Sequence, residues 1–303
     1  MVPLITMTLS ELYAYIKNSL TAQFPDPKER GIVSRRIIGG ITGLDGNDCI
    51  LHPDRRVEID NTAVNNVIRR IRQHEPLEYV FNSAQFVDIE LYTNSNVLIP
   101  RPETEELALK IFGDIQTRLQ SKNRAGDKPL SILDIGTGSG CIPIYLATKY
   151  PDCQFFAVDI SDAAIATAHS NAERHGCNIH FFKADILNCQ DGGELQSLKV
   201  DIIVSNPPYV LESEKALMQS NVLDYEPGTA LFVPDDDPLK FYRAISKFAI
   251  EHLNDGGKLY FEINEKFGAD TAQLMRSCGF QKVEVIQDLF GKDRFVVGSI
   301  SPL

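Results

Sequence analysis

The 303-residue sequence lacks the cysteine and histidine spacings that build metal sites and disulfide frameworks. Its six cysteines are scattered, form no CxxC pair and have no histidine at ligand spacing. In a chain of this size, we interpret them as the reduced thiols of a cytoplasmic protein. We therefore predict neither a disulfide framework nor a metal site.

The sequence also lacks a long apolar run and a basic leader. No apolar stretch reaches the ~20 residues that a membrane-spanning helix needs. The first 20 residues, MVPLITMTLSELYAYIKNSL, already carry Glu11 and resemble neither a secretory signal nor a transit peptide. We expect a soluble, cytoplasmic protein with no membrane partner.

The sequence contains fewer basic than acidic residues. Thirty Lys and Arg stand against 41 Asp and Glu, which gives a formal net charge of −11. A broad grip on nucleic acid needs concentrated positive charge, so we predict no direct requirement for nucleic acid. Short basic clusters at 35–36, 55–56 and 69–72 are typical of helix surfaces, with a functional basic patch as the less favoured alternative.

The hydrophobic pattern predicts two kinds of structure in a chain long enough for two domains. Residues 8–73 show helical periodicity with few strand signals, and Thr8 or Ser10 could cap the first helix. Residues 84–99 alternate apolar and polar positions around Asn94-Ser95-Asn96, which predicts a β-hairpin. A helix is predicted over 100–112.

From residue 130 onward, strand, turn and helix alternate, which predicts an α/β fold with a parallel sheet covered on both faces. The connection at 289–293 is too short for anything but antiparallel neighbours, so we expect the sheet to end with a reversed strand. The candidate strands are 130–134, 154–159, 178–183, 200–204, 257–263, 280–287 and 293–300.

A glycine loop follows the first of these strands. Gly136, Gly138 and Gly140 remove side chains that would keep a ligand from the backbone, and the next helix offers its positive N-terminal end. The spacing is G-x-G-x-G rather than the G-x-G-x-x-G of NAD sites, and Asp134 precedes it. An acidic neighbour suits a cationic ligand such as S-adenosyl-L-methionine (SAM). The alternative is a glycine-rich connector without a ligand.

Two acidic residues end the next strands. Asp159 lies 23 residues beyond Gly136, where a doubly wound fold places the carboxylate that accepts ribose hydroxyls. Capping of the following turn is its alternative role. Asp185 could receive the adenine amino group, and a helix cap for residues 186–190 remains nearly equal as an interpretation.

The stretch SNPPY, at 205–209, follows the fourth strand at the same sheet edge. Its prolines fix the backbone before a substrate arrives. The Asn206 side-chain oxygen and the Pro207 carbonyl can each accept one N–H, while Tyr209 can stack on a planar group. The segment therefore predicts a clamp for a planar NH₂ group, and we call residues 206–209 the NPPY clamp.

The clamp resembles the N/D-P-P-Y/F signature of SAM-dependent methyltransferases that act on amide or exocyclic amino nitrogens. Three further stretches, at 96–107, 224–232 and 258–268, resemble the protein-(glutamine-N5) methyltransferases of the HemK or PrmC family. This resemblance implies a seven-stranded Rossmann-like SAM-dependent methyltransferase domain. It also implies that the protein methylates the glutamine of the Gly-Gly-Gln loop in class-1 peptide chain release factors. S-adenosyl-L-homocysteine would be the product formed from SAM.

The resemblance also implies a domain organisation and site residues. An N-terminal helical domain over 1–83 would dock the substrate, a β-hairpin linker would cover 84–99, and the methyltransferase domain would cover 100–303. Asn206, Pro207 and Tyr209 would be catalytic, and with Pro208 they would bind the substrate. The residues expected to bind SAM are Gly136, Thr137, Gly138, Ser139, Gly140, Asp159, Asp185, Ile186 and Asn206.

The chain departs from the family pattern at three places. Ile186 stands where tryptophan is frequent, and Asn264 and Asn82 stand where glycine is common; asparagine tolerates left-handed backbone. The rival functions are an amino-methyltransferase acting on a nucleic acid base and a SAM-binding module without catalysis. A monomer is favoured.

Overall fold

The computed structural model describes residues 4–120, 128–188 and 194–300. The chain divides into two compact units, Met1–Asn82 with Gln219–Tyr225, and Ser83–Met218 with Glu226–Leu303. The predicted boundaries at residues 83 and 99 stay predictions. Within the described residues, none of the helices is both long enough and apolar enough to cross a membrane.

The regular elements are numbered in chain order. The helices are α1 Leu9–Ser19, α2 Pro27–Thr42, α3 Asp48–Leu51, α4 Asn61–Arg72, α5 Leu77–Phe81, α6 Pro102–Gln120, α7 Cys141–Lys149, α8 Asp162–Arg174, α9 Glu194–Ser197, α10 Ser220–Tyr225, α11 Lys240–His252 and α12 Gly268–Cys278. The strands are β1 Leu4–Thr8, β2 Arg56–Asp60, β3 Ala84–Phe86, β4 Ile89–Leu91, β5 Ser131–Ile135, β6 Gln154–Asp159, β7 Ile179–Lys183, β8 Val200–Ser205, β9 Val210–Leu211, β10 Phe232–Val233, β11 Leu253–Glu262, β12 Gln281–Gln287 and β13 Asp293–Ser299.

The first unit is mainly helical. Thr8 caps α1 as predicted, since its hydroxyl accepts the Glu11 N–H at 3.2 Å and the Glu11 carboxylate accepts the Thr8 N–H at 2.8 Å. One feature was not predicted from the sequence. β1 and β2 pair as an antiparallel two-stranded sheet, in a region where the sequence has few strand signals. The short helix α10 belongs to this unit, and its Tyr225 hydroxyl donates to the Gln73 carbonyl at 2.8 Å.

Asn82 ends the helical run of the first unit in left-handed backbone, with a φ of 52°. Asparagine adopts this conformation more readily than most residues, so it can replace the glycine that is common at this position. The expectation drawn from the sequence is confirmed here.

The second unit contains the predicted seven-stranded sheet. Its strand order is β12-β13-β11-β8-β5-β6-β7, and the five strands from β11 to β7 are parallel. The reversed strand is β13, but it does not end the sheet as expected. It lies between β11 and β12 and is antiparallel to both, because the chain reaches the edge with β12 and the tight turn then returns β13 into the gap.

The hairpin near residue 90 is present, but its turn was predicted in the wrong place. β3 and β4 pair with Phe86 opposite Ile89, so Val87 and Asp88 form the turn rather than Asn94–Asn96. Beyond β4, the backbone leaves the ribbon because the Asn171 side chain binds both the N–H and the carbonyl of Tyr92, at 2.7 and 2.9 Å.

Two apolar cores cover the sheet of the second unit. One contains buried side chains of α6, α7 and α8, such as Leu107, Ile144 and Ala172. The other contains those of α11 and α12, such as Tyr242 and Met275. All five residues of β5 are buried, as expected for a strand covered on both faces. The loops after the parallel strands therefore meet at one sheet edge, where α/β folds bind ligands.

Candidate active site

The glycine loop lies at the wall of a cavity of about 560 Å³. Gly136, Gly138 and Gly140 have φ values of 77°, 55° and 79°, in the left-handed region where side chains are strained. A Cβ at Gly140 would lie 2.8 Å from Ile144 Cδ1, whereas a Cβ at Gly136 or Gly138 would meet no atom within 4 Å. Gly140 thus allows close helix packing, while the other two leave room for a ligand.

Asp159, at the end of β6, is fixed by two backbone groups. Its Oδ2 accepts the Gly138 N–H and its Oδ1 accepts the Ser161 N–H, both at 2.9 Å. Each carboxylate oxygen can accept more than one hydrogen bond. Asp159 lines the cavity and can therefore accept further donors, such as a pair of hydroxyls, without rearrangement.

Asp134, the last polar residue of β5 before the loop, is buried in the cavity wall. Its burial raises its pKa to about 7, the negative charge of Asp159 acts in the same direction, and the Thr137 hydroxyl opposes the rise. The Thr137 Oγ1 is itself buried and, apart from this interaction with Asp134, has no hydrogen-bond partner among the described residues. A cationic ligand group beside Asp134 would favour the ionised carboxylate, and a polar one could pair with Thr137.

The end of β7 supplies a polar turn and an apolar wall. Asp185 accepts the Leu187 N–H at 2.9 Å and an Asn188 side-chain N–H at 2.7 Å. No helix begins at residues 184–188, and residues 189 and 190 lie outside the described part of the chain. Ile186 lines the cavity together with Ile160, an apolar residue that was not predicted from the sequence as part of the site.

The NPPY clamp leaves β8 at the centre of the same edge. Asn206, Pro207 and Pro208 line the cavity. The Asn206 amide donates from Nδ2 to the Thr104 hydroxyl oxygen at 3.0 Å. Tyr209 is not among the lining residues, because its ring packs against the second core and its hydroxyl donates to Glu262 Oε1 at 3.0 Å.

Glu262, at the end of β11, is a fully buried carboxylate beneath the clamp. Its Oε2 accepts the Thr104 hydroxyl at 2.7 Å, in addition to the bond from Tyr209. Burial raises the pKa of Glu262 to about 7, the hydrogen bonds from Thr104 and Tyr209 oppose this rise, Glu103 adds to it, and Arg294 lowers it. Glu262 lies within the recognised stretch 258–268, but no local sequence pattern predicts its contacts with Thr104 and Tyr209.

A second buried carboxylate holds the segment before α6. Glu226 accepts the Arg101 guanidinium at 2.6 Å and the Ile99 N–H at 3.1 Å. Arg101 and Ile99 both line the cavity, so Glu226 fixes one of its walls from behind. The motifs containing Arg101 and Glu226 were recognised in the sequence, but their pairing was not.

The structure thus brings together most of the predicted site residues. Gly140 and Tyr209 are the two that do not line the cavity. Across the described ranges, no three His, Cys, Asp or Glu side chains are grouped so that they could hold a metal ion. The predicted residues that do line the cavity are Gly136, Thr137, Gly138, Ser139, Asp159, Asp185, Ile186, Asn206, Pro207 and Pro208.

Comparison with known proteins identifies the family of this chain. The family model of the methyltransferase small domain matches residues 114–223. The release factor glutamine methyltransferase of Bacteroides thetaiotaomicron is 40% identical over 297 residues, which cover 96% of this chain and 100% of that protein. The chain belongs to the release factor glutamine methyltransferase family.

Other members of this family give the same result. The proteins of that name from Flavobacterium psychrophilum and Streptococcus pneumoniae are 42% and 35% identical, covering 82% and 96% of this chain and 84% and 98% of their own lengths. The resemblance seen in the three motif stretches is confirmed, and the protein is a methyltransferase. The nucleic acid alternative is not favoured.

Proposed function

We propose that this protein transfers the methyl group of SAM to the side-chain amide nitrogen (N5) of the glutamine in the Gly-Gly-Gln motif of class-1 peptide chain release factors. The observation that carries the proposal is the position of Asn206 and Pro207 on the wall of the cavity that the glycine loop and Asp159 also line. A nucleoside site and a clamp for a planar amide share one space.

The cavity suits SAM in charge and shape. The buried Asp134 favours a cationic group, and Asp159 offers fixed acceptors for two ribose hydroxyls. Ile186 and Ile160 provide apolar surface for adenine, with Asp185 beside them. When bound, SAM supplies an electrophilic methyl group on positively charged sulfur. The open Cβ directions at Gly136 and Gly138 leave space for this ligand.

The clamp suits a primary amide. With its Nδ2 bonded to Thr104, Asn206 has Oδ1 left to accept one N–H of the glutamine, and the Pro207 carbonyl can accept the other. An amide nitrogen is a poor nucleophile because its lone pair is delocalised. Two fixed acceptors increase the electron density on that nitrogen and stabilise the positive charge that develops on it during the reaction. The methylated nitrogen then loses its proton readily, so no strong general base is required.

We further propose a protein loop as the efficient substrate, since one free glutamine offers little contact area and the flanking chain must supply the remaining binding energy. The helical domain at 1–83 is the candidate docking surface, where Ile50 and Leu51 are 59% and 67% exposed. Replacing both with serine should raise the KM for intact release factor but leave the KM for a short Gly-Gly-Gln peptide unchanged. We place the reaction in the cytoplasm, with the enzyme as a monomer.

Mass spectrometry of purified release factor incubated with the protein and SAM tests this function. We expect one added methyl group on the Gly-Gly-Gln glutamine, and none on a release factor with that glutamine replaced by asparagine or on an oligonucleotide. Asn206→Ala should lower kcat by about 10²–10³-fold, as the loss of a preorganised polar contact does. Asp159→Ala should weaken SAM binding by about 1–3 kcal/mol. Methylation of the oligonucleotide alone would refute the proposal.

A further inference from the structure

In each hydrogen bond beneath the NPPY clamp, the chemistry of the partners decides which group donates and which accepts. The Glu262 carboxylate, when ionised, has no proton to donate. Both hydroxyl groups that it contacts, those of Thr104 and Tyr209, must therefore donate to it. The carboxylate thus determines where each hydroxyl proton lies.

This direction passes on to Asn206. A hydroxyl group has one proton, so Thr104, having donated to Glu262, can only accept at its oxygen. Its 3.0 Å contact with Asn206 therefore requires the amide NH₂ rather than the amide oxygen. The two ends of an asparagine amide are nearly equal in shape, and the hydrogen-bond network decides which way it faces. Here the network leaves Oδ1 without a competing donor from Thr104.

We propose that Thr104 and Glu262 are positioning residues that orient the Asn206 amide, so that it presents an acceptor and not a donor to the substrate. The inference rests on the proposed function, in which Oδ1 accepts a glutamine N–H. A reversed amide would place its own NH₂ against the substrate NH₂, and the two donors would repel each other. Orientation of Asn206 thus separates a productive clamp from an inactive one with the same shape.

The charge of Glu262 depends on its surroundings, because burial and the negative charge of Glu103 raise its pKa to about 7, whereas the hydrogen bonds from Thr104 and Tyr209 and the charge of Arg294 oppose that rise. Thr104 and Glu103 face it from α6, Tyr209 from the clamp and Arg294 from β13, while the Tyr242 hydroxyl of α11 binds the Glu262 backbone carbonyl at 3.3 Å. Once protonated, Glu262 can donate to Thr104. The Thr104 proton is then free to turn toward Asn206 and to favour the reversed amide.

Thr104→Val tests the inference, because valine keeps the shape of threonine but can neither accept nor donate. We expect kcat on release factor to fall by about 10- to 100-fold, a typical cost of misplaced reacting groups, while the Kd for SAM changes little. Thr104→Ser keeps the hydroxyl and should recover most of the activity. These two variants form a matched pair.

A double variant separates positioning from a general structural role. If Thr104 acts through Asn206, adding Thr104→Val to Asn206→Ala should change kcat by less than about twofold, because the group to be oriented is gone. Independent, multiplicative losses would overturn the inference, as would a Thr104→Val enzyme with the kcat of the wild type. Failure of the proposed function is recognised separately, since the wild-type protein would then leave the release factor glutamine unmethylated.

Discussion

Asn264 donates a hydrogen bond from its side-chain Nδ2 to the backbone carbonyl oxygen of Tyr209, across 3.2 Å, and so ties the end of β11 to the NPPY clamp. The same Nδ2 lies 3.3 Å from Glu214 Oε2, and Asn264 Oδ1 accepts the Lys266 N–H at 3.1 Å. The φ of Asn264 is −65°, so tolerance of left-handed backbone does not explain this asparagine. The hydrogen bonds of its side chain explain this asparagine instead.

We expect Asn264→Gly, which introduces the residue common in the family, to loosen the clamp without abolishing the site. The lost hydrogen bonds should lower the free energy of unfolding by about 1 kcal/mol, measured by urea denaturation. Asn264→Asp is the matched control, since aspartate keeps the acceptor for Lys266 but cannot donate to Tyr209 and lies near Glu214. If aspartate preserves wild-type kcat, the bond to Tyr209 has no role in activity.

SAM affinity should depend on pH through Asp134. Its pKa of about 7 in the free protein means that the carboxyl group is mostly protonated at pH 6 and mostly ionised at pH 8. A bound cation favours the ionised form, so the Kd should fall as pH rises and level off above about pH 7 to 8. Titration calorimetry from pH 6 to 8 measures this.

Asp134→Asn provides the control for that pH dependence. This variant should bind SAM more weakly at pH 8 and with little change between pH 6 and 8. Glu262→Gln should keep the pH dependence of SAM binding, because Glu262 lies beneath the clamp. A wild-type Kd that is constant over this range would show that Asp134 does not sense the ligand charge.

Tyr209→Phe should shift the pH profile of kcat rather than only lower its maximum. The Tyr209 hydroxyl bond to Glu262 is one of the two that hold the pKa of Glu262 down, so its removal should raise that pKa further. If an ionised Glu262 is needed for activity, the acid limb of the profile should move to higher pH. Turnover measured at saturating SAM from pH 6 to 9 tests this, and a uniform loss at every pH would contradict it.

The residues that sequence reasoning found share one property. Gly136, Asp159 and Asn206 each follow a buried strand closely, so local patterns and the topology of a parallel sheet suffice to bring them to one edge. Thr104 and Glu262 are 158 residues apart, and no local pattern specifies that their side chains meet. The position of the hairpin turn was predicted wrongly for a related reason. Asn94–Asn96 has strong turn chemistry, but pairing of Phe86 with Ile89 and the Asn171 contacts to Tyr92 decided where the ribbon ends.

Arg101 and Glu226 form an ion pair whose loss should lower the free energy of unfolding. The Glu226 side chain is 1% exposed and that of Arg101 is 30% exposed. Among the described residues, Arg101→Met leaves the buried carboxylate with the Ile99 N–H as its remaining hydrogen bond, which should cost about 1–3 kcal/mol of unfolding free energy. Adding Glu226→Gln removes the unpaired charge and keeps an acceptor for Ile99. The double variant should therefore be more stable than Arg101→Met in urea denaturation, because an isolated buried charge is more costly than a neutral amide. A double variant that is less stable than the single one would show that Glu226 is stabilised by groups other than Arg101.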